Sequence, residues 1–232
     1  MEIGLHWEVL TPKNLVLEAV FAAVMLIYVV AVVRATKFVY DFMRSRGMKH
    51  NVAVYYNRKL IHVFAGGVVA LLVPFLFTSP IVPFIIAMIM AVFTYIPHRN
   101  GKLMYWFQVE DNMFEVNFCL MWGISMLLAW FILGSPIYAL IPILFMAFGD
   151  AATGVVRNSM FKKRTKSWWG NIAMFAVCAP IGVLLLNSLW GVPIAALASF
   201  IEHYEFNPVD DNVLISASSF IAVLLLKTFL LH

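Results

Sequence analysis

Apolar runs separated by short polar connections fill the chain from Leu15 onward. The pattern predicts seven membrane-crossing helices, at Leu15–Val33, Leu60–Phe77, Ile81–Ile96, Met113–Leu133, Pro136–Val156, Ile172–Leu189 and Val213–Leu231. A shorter apolar segment lies at Val192–Ile201. A helix of that length rises only about 15 Å, against the ~30 Å of a hydrocarbon core. Seven spans take up roughly 140 residues, which leaves little of a 232-residue chain for anything but loops. The expected fold is an all-α polytopic bundle of about seven long spans plus one short or re-entrant helix. It forms one integral membrane domain over 1–232, with an N-terminal span and basic surface segment (1–57) ahead of a helical core (58–232).

Composition supports this. The chain is 63% hydrophobic and 12% charged, whereas soluble domains run near 45–50% and 25%, and its mean hydropathy is +0.89. An aqueous domain, a disordered chain and a nucleic-acid-binding module are excluded. Met1–Asn14 is too acidic for the leading region of a signal peptide, and the run behind it is too long, so a retained anchoring span is expected. Cys119 and Cys178 fall inside apolar runs and read as small apolar packers.

Charge then orients the spans. Arg34, Lys37, Arg44, Arg46, Lys49, Arg58 and Lys59 follow the first span, Arg99 and Lys102 the third, and Arg157, Lys162, Lys163, Arg164 and Lys166 the fifth. Fourteen of the sixteen basic residues thus occupy alternate loops. The positive-inside rule places these loops in the cytoplasm and the N-terminus outside. The loop Glu202–Asn212 has acids but no Lys or Arg; it joins the cytoplasmic side if Val192–Ile201 crosses, which we favour because its acids would then face the basic loops. Phe38–Tyr56, with aromatics and basic residues, suits a helix lying on that membrane surface.

Ionisable residues within spans read as functional by default. In FGDAATGVVRN, Asp150, Thr153, Gly154 and Arg157 share one helical face; a plain Asp150–Arg157 structural pair is the alternative. In NRKLIHVFAGG, Arg58, His62 and Gly66 form a stripe with period four, which suits either an interfacial anchor with an interhelical histidine or a site. Asp111 and Glu115, four apart, either favour a helix dipole or hold a divalent cation. Asn212, Ser216 and Ser219 form a further polar stripe behind Asp210 and Asp211, and Glu18 reads as a structural or cavity-facing acid.

Carboxylates facing Lys and Arg at one depth suit phosphoryl transfer, in which acids hold Mg²⁺ and cations offset phosphate charge. No P-loop or kinase DFG signature occurs, and no HExxH, CxxC cluster or GxSxG.

The runs NRKLIHVFAGG, FEVNFCLMWG, FGDAATG…KKRTKSWWGNIAMF and VDDNVLISA, in this order, resemble the CTP-dependent polyprenol kinase family, which includes dolichol and phytol kinases. The likeness covers Arg58 to the C-terminus. It implies transfer of the γ-phosphate of CTP to the hydroxyl of a long-chain isoprenoid alcohol at the cytoplasmic membrane face, with Mg²⁺ as cofactor. It also implies catalytic roles for Asp150, Glu115 and His62, and metal ligation by Asp150, Asp211 and Asn212. Gly154, Arg157, Lys162, Lys163, Arg164, Lys166, Ser167 and Gly170 would bind nucleotide, with Arg58 and Lys59 on phosphate near the acceptor. Trp169 stands where the family carries Glu, and Arg157 where it carries Gly; Trp168 or Trp169 is a candidate to stack on the cytosine. The rival readings are a membrane cytidylyltransferase, which would release pyrophosphate, and a transporter using Glu18, His62 and Asp150.

Overall fold

The computed structural model describes residues 5–163, 165–206 and 209–229. Among these it has eight helices of ten residues or more: α1 Leu15–Ser45, α2 His50–Leu76, α3 Ile81–Asn100, α4 Phe114–Leu133, α5 Pro136–Phe161, α6 Trp168–Leu186, α7 Gly191–Ile201 and α8 Asp211–Phe229. All but α7 are long and apolar enough to cross a membrane. Their ends carry the expected local signals. Asn14 caps α1 by accepting from the Leu17 N–H, Ser135 caps α5 ahead of Pro136, and Gly101 and Gly134 close α3 and α4 at φ 65° and 70°.

The helices outrun the apolar segments at the basic end of the bundle. α1 continues to Ser45 and α2 already begins at His50, because polar helical turns can project beyond the hydrocarbon without losing their backbone hydrogen bonds. Phe38–Tyr56 is therefore not one surface helix: it is the end of α1, a turn at Arg46–Lys49, and the start of α2. The division drawn between residues 57 and 58 falls inside α2.

α5 is the central helix, with 78% of its apolar window buried against 22–44% for the other six spans. Residues Ala139 to Ala147 are almost wholly enclosed. α2 and α5 each contain a π turn, at His62–Gly67 and Phe145–Gly149. The two turns pack together, Gly67 lying against Phe148 and Ala147. A wider turn releases backbone carbonyls that need other donors. Tyr28 Oη donates to the Phe64 carbonyl at 3.1 Å, Trp122 Nε1 to that of Gly66 at 3.1 Å, and Thr153 Oγ1 to that of Gly149 at 3.1 Å.

α7 returns beside α6 along a close backbone contact, for which the small residues Gly182 and Gly191 leave room: a Cβ on Gly182 would lie 2.9 Å from the Gly191 carbonyl oxygen. It starts at the end of the bundle away from the basic loops and finishes beside them, where His203 stacks on Trp168 at 4.0 Å. The acidic segment after α7 thus lies with the basic loops. At the far end, Glu18 is structural: its Oε1 accepts from the Thr78 N–H (2.9 Å) and hydroxyl (2.5 Å), tying α1 to the α2–α3 turn.

Candidate functional site

Asp150 closes the π turn of α5 and is 1% exposed. Its Oδ2 accepts from Lys59 Nζ, and His62 Nδ1 stands 3.4 Å from the same oxygen. Asp150 Oδ1 makes no hydrogen bond among the described residues, nor does either ring nitrogen of His62. The His62 ring instead lies flat on Phe118 at 4.0 Å. Lys59 reaches Asp150 because Gly154 leaves space for its alkyl chain: a Cβ there would lie 2.7 Å from Lys59 Cε. Arg58 turns the other way and covers the Phe114 ring at 4.0 Å.

Two further acids converge on Asp150. Glu202, at the end of α7, and Asp211, at the start of α8, each offer a carboxylate oxygen, and the three oxygens lie within 4.8 Å of one another. Arg157 holds Glu202 through a two-pronged pair at 2.7 and 2.8 Å. It also donates to the Ser167 carbonyl (2.9 Å) and to Asn171 Oδ1 (2.8 Å). Lys166 Nζ bridges Glu202 (3.2 Å) and Asp211 (3.1 Å). Asp150 thus pairs with Lys59 and not with Arg157, whose partner is Glu202.

The groups outside the spans titrate as this crowding dictates. Burial pushes the Glu202 carboxyl up, against the pull of Arg157 and Lys166. Burial works against the Lys166 charge, but Asp211 and Glu202 outweigh it and hold its ammonium above the usual range. Asp210 is raised to about 6, by burial first and then by Asp211 beside it.

Asp210 is the N-cap of α8, its Oδ1 accepting from the Val213 N–H at 3.1 Å. Asn212 donates to the Phe114 carbonyl and to Asp210, each at 3.2 Å, while its own Oδ1 is buried and makes no hydrogen bond among the described residues. Three carboxylates whose oxygens lie within 4.8 Å of one another, one of them with an oxygen that makes no hydrogen bond among the described residues, are the donor set a small hard cation takes. No hydrogen bond joins Asn212 to them among the described residues. The ammonium groups of Lys59 and Lys166 offset the acids' charge.

The structure therefore brings Lys59, His62, Asp150, Arg157, Lys166 and Asp211 into one cluster, with Gly154 and Gly170 as the spaces that Lys59 and Arg157 pass through. Ser167 contributes its carbonyl to Arg157. Lys162 and Lys163 are exposed on the turn after α5, and Arg164 lies outside the described residues. Trp168 has His203 on one face, and Trp169 is exposed. Glu115 stands apart from the acidic cluster: its Oε1 pairs with His98 Nε2 and accepts from Gln108 Nε2, both at 2.6 Å. Asp111 precedes α4 and is exposed, so it does not share a helical face with Glu115.

Beside the cluster runs an apolar groove between α1, α2, α3 and α4. It extends from Ala22, Phe77 and Pro83 at the far end to Arg58, His62, Thr94 and Glu115 at the basic end. Its wall is almost wholly hydrocarbon, and its ionisable lining lies at the basic end. His62 belongs both to the groove and to the acidic cluster.

Glu202 and Asn171 are the residues sequence reasoning underrated. Asn171, one turn into an apolar helix, was a readable signal. Glu202 gave only its place at the end of a helix too short to classify. No family model, no curated protein and no solved structure matches this chain.

Proposed function

We propose that this protein is a lipid kinase, transferring the γ-phosphate of CTP to the hydroxyl of a long-chain isoprenoid alcohol of the dolichol or polyprenol type. Its basic end would face the cytoplasm, as the distribution of Lys and Arg favours. The observation that carries the reading is the groove that ends at His62, 3.4 Å from Asp150, the acid that clusters with Glu202 and Asp211. A tail site and a phosphate site meet at one side chain.

An apolar tail leaves the bilayer at little cost only where the groove is as apolar as lipid, and this one is. Its head would lie beside Arg58 and His62. Asp150, Glu202 and Asp211 would hold Mg²⁺, which would supply positive charge to offset that of the transferred phosphoryl group. Arg157 fixes Glu202 and, through Ser167, the loop that follows α5. Lys59 and Lys166 are donors already inside the site and within reach of phosphate oxygens. Lys162 and Lys163, exposed at the rim, suit the remainder of a triphosphate. The choice of CTP rests on the likeness of the sequence runs to the polyprenol kinases. Glu202 supplies an acid to the cluster in a chain that has Trp169 where that family has its loop Glu.

The test is transfer from γ-labelled CTP beside γ-labelled ATP, by purified protein in lipid with Mg²⁺, to a panel of prenols and diacylglycerol. Labelled prenol phosphate from CTP, with CDP as by-product, is the expected result. Label from ATP alone would remove the CTP assignment, and pyrophosphate release would indicate a cytidylyltransferase. No labelled lipid from either donor would overturn the kinase reading. Asp150→Asn should lower transfer by about 100-fold or more while the protein still inserts and folds; near-normal turnover would remove Asp150 from the mechanism.

A further inference from the structure

The head of the groove holds a buried carboxylate that the acidic cluster does not use. Glu115 is 4% exposed and lines the groove. Its Oε1 is fixed by His98 and Gln108, while its Oε2 is buried and makes no hydrogen bond among the described residues. Gln108 is itself held, its Oε1 accepting from the Met104 N–H at 2.8 Å and its Nε2 donating to the Thr94 carbonyl at 2.9 Å. His98 looks the other way as well: it lines a separate polar pocket with Tyr95, Arg99, Glu110 and Asp111. A buried carboxylate oxygen with no partner calls for an occupant that brings a donor. Pure hydrocarbon cannot supply one; a hydrocarbon ending in a hydroxyl can.

We propose that Glu115 Oε2 receives the hydroxyl of the acceptor alcohol and takes its proton during transfer, while His98 and Gln108 hold the carboxylate in place through Oε1. The transfer step rests on the kinase reading; the hydroxyl-binding step does not. As the alcohol oxygen bonds to the terminal phosphorus, its O–H bond breaks and the proton goes to Oε2. The bond from that phosphorus to the bridging oxygen breaks, and its electron pair leaves with the nucleoside diphosphate. The proton stays on Oε2 until the phosphorylated product leaves and solvent can take it. Asp150 suits this step less well, because its carboxylate stands among the acids that would hold Mg²⁺.

The experiment uses the full chain in lipid nanodiscs and compares equilibrium binding of geranylgeraniol with that of its methyl ether, which lacks the donor. Wild type should bind the alcohol roughly tenfold or more tightly than the ether. Glu115→Gln should bring the two to parity with ether binding retained, which also reports that the variant is folded. Ala87→Trp, which fills the groove away from its head, should weaken both ligands alike. In the transfer assay Glu115→Gln should lower kcat by roughly 10²–10⁴-fold at unchanged nucleotide KM. His98→Gln should lower kcat while keeping the preference for alcohol.

Equal binding of alcohol and ether by wild type, or a Glu115→Gln variant that keeps the preference, overturns the site whatever the kinase assay gives. Alcohol preference without phosphate transfer from either donor overturns the kinase reading and the proton-transfer step together, and leaves the binding step supported. Near-normal turnover of Glu115→Gln overturns the proton-transfer step alone.

Discussion

At the scale of single residues, the Lys59–Asp150 pair governs what the site can tolerate. Each charge is buried, so removing one strands the other, at a cost of about 3–5 kcal/mol. Lys59→Met should therefore lower stability by about 3 kcal/mol, read as thermal unfolding in detergent, and adding Asp150→Asn should recover most of the loss. Additive losses would show that the pair contributes little. Asp210 offers a pH readout. Its carboxyl titrates at about 6 in the folded chain against 3.8 for an ordinary aspartate, so the folded state binds its proton more tightly. The stability this confers is complete below about pH 3.8 and is lost as the pH rises through about 6. In EDTA the melting temperature should fall between pH 5 and pH 7, and Asp210→Asn, which keeps the cap on Val213, should flatten that fall; an unchanged slope would exclude Asp210 as its source. Asp150 is legible in the sequence because an acid inside an apolar run has few innocent explanations. Glu202 is not, because its partner Arg157 lies 45 positions away and the two meet only through the packing of α7 on α6.

At the scale of elements, hydropathy identifies the spans but not their ends or their internal phase. The run beginning at Leu60 is the second half of a helix that starts at His50, since polar turns at a membrane surface look like loop to any measure of hydropathy. The two π turns leave no trace in hydropathy either. They change only which carbonyl each N–H meets, and their released carbonyls are satisfied by Tyr28, Trp122 and Thr153 from other turns of the fold. The short helix α7 resists classification for a different reason. Its passage depends on backbone contact with α6 at Gly182 and Gly191, which a count of apolar residues ignores. Gly191→Val would drive its side chain into the backbone around Val183. Overpacking of this kind costs about 1–3 kcal/mol where the surroundings can yield, and main chain yields less readily than a side chain. The expected result is a lower melting temperature together with weaker protection by Mg²⁺ at the proposed site, because Glu202 hangs from the far end of α7. A variant with wild-type stability would show that the helices separate freely there.

At the scale of the whole molecule, the polar chemistry is gathered at one end of an apolar bundle, and the return of α7 places the acidic segment there too. In a background with Cys119 and Cys178 replaced, cysteines introduced at Lys163 and Tyr204 should react with an impermeant reagent from the same side of the membrane. One at Asn187 should react from the other. Labelling of positions 163 and 204 from opposite sides would refute the passage of α7. The positive-inside pattern predicts that the shared side is the cytoplasm. Burial of α5 has a further consequence for how the chain is made. Lys59 emerges in α2, and the carboxylate that neutralises it follows 91 residues later. Until α5 arrives, the Lys59 ammonium has to stay in the headgroup region, where a long side chain can keep its charge wet. α2 therefore reaches its final depth late, and a chain halted after α4 carries an unmatched charge by which a quality-control system could tell it from the finished protein.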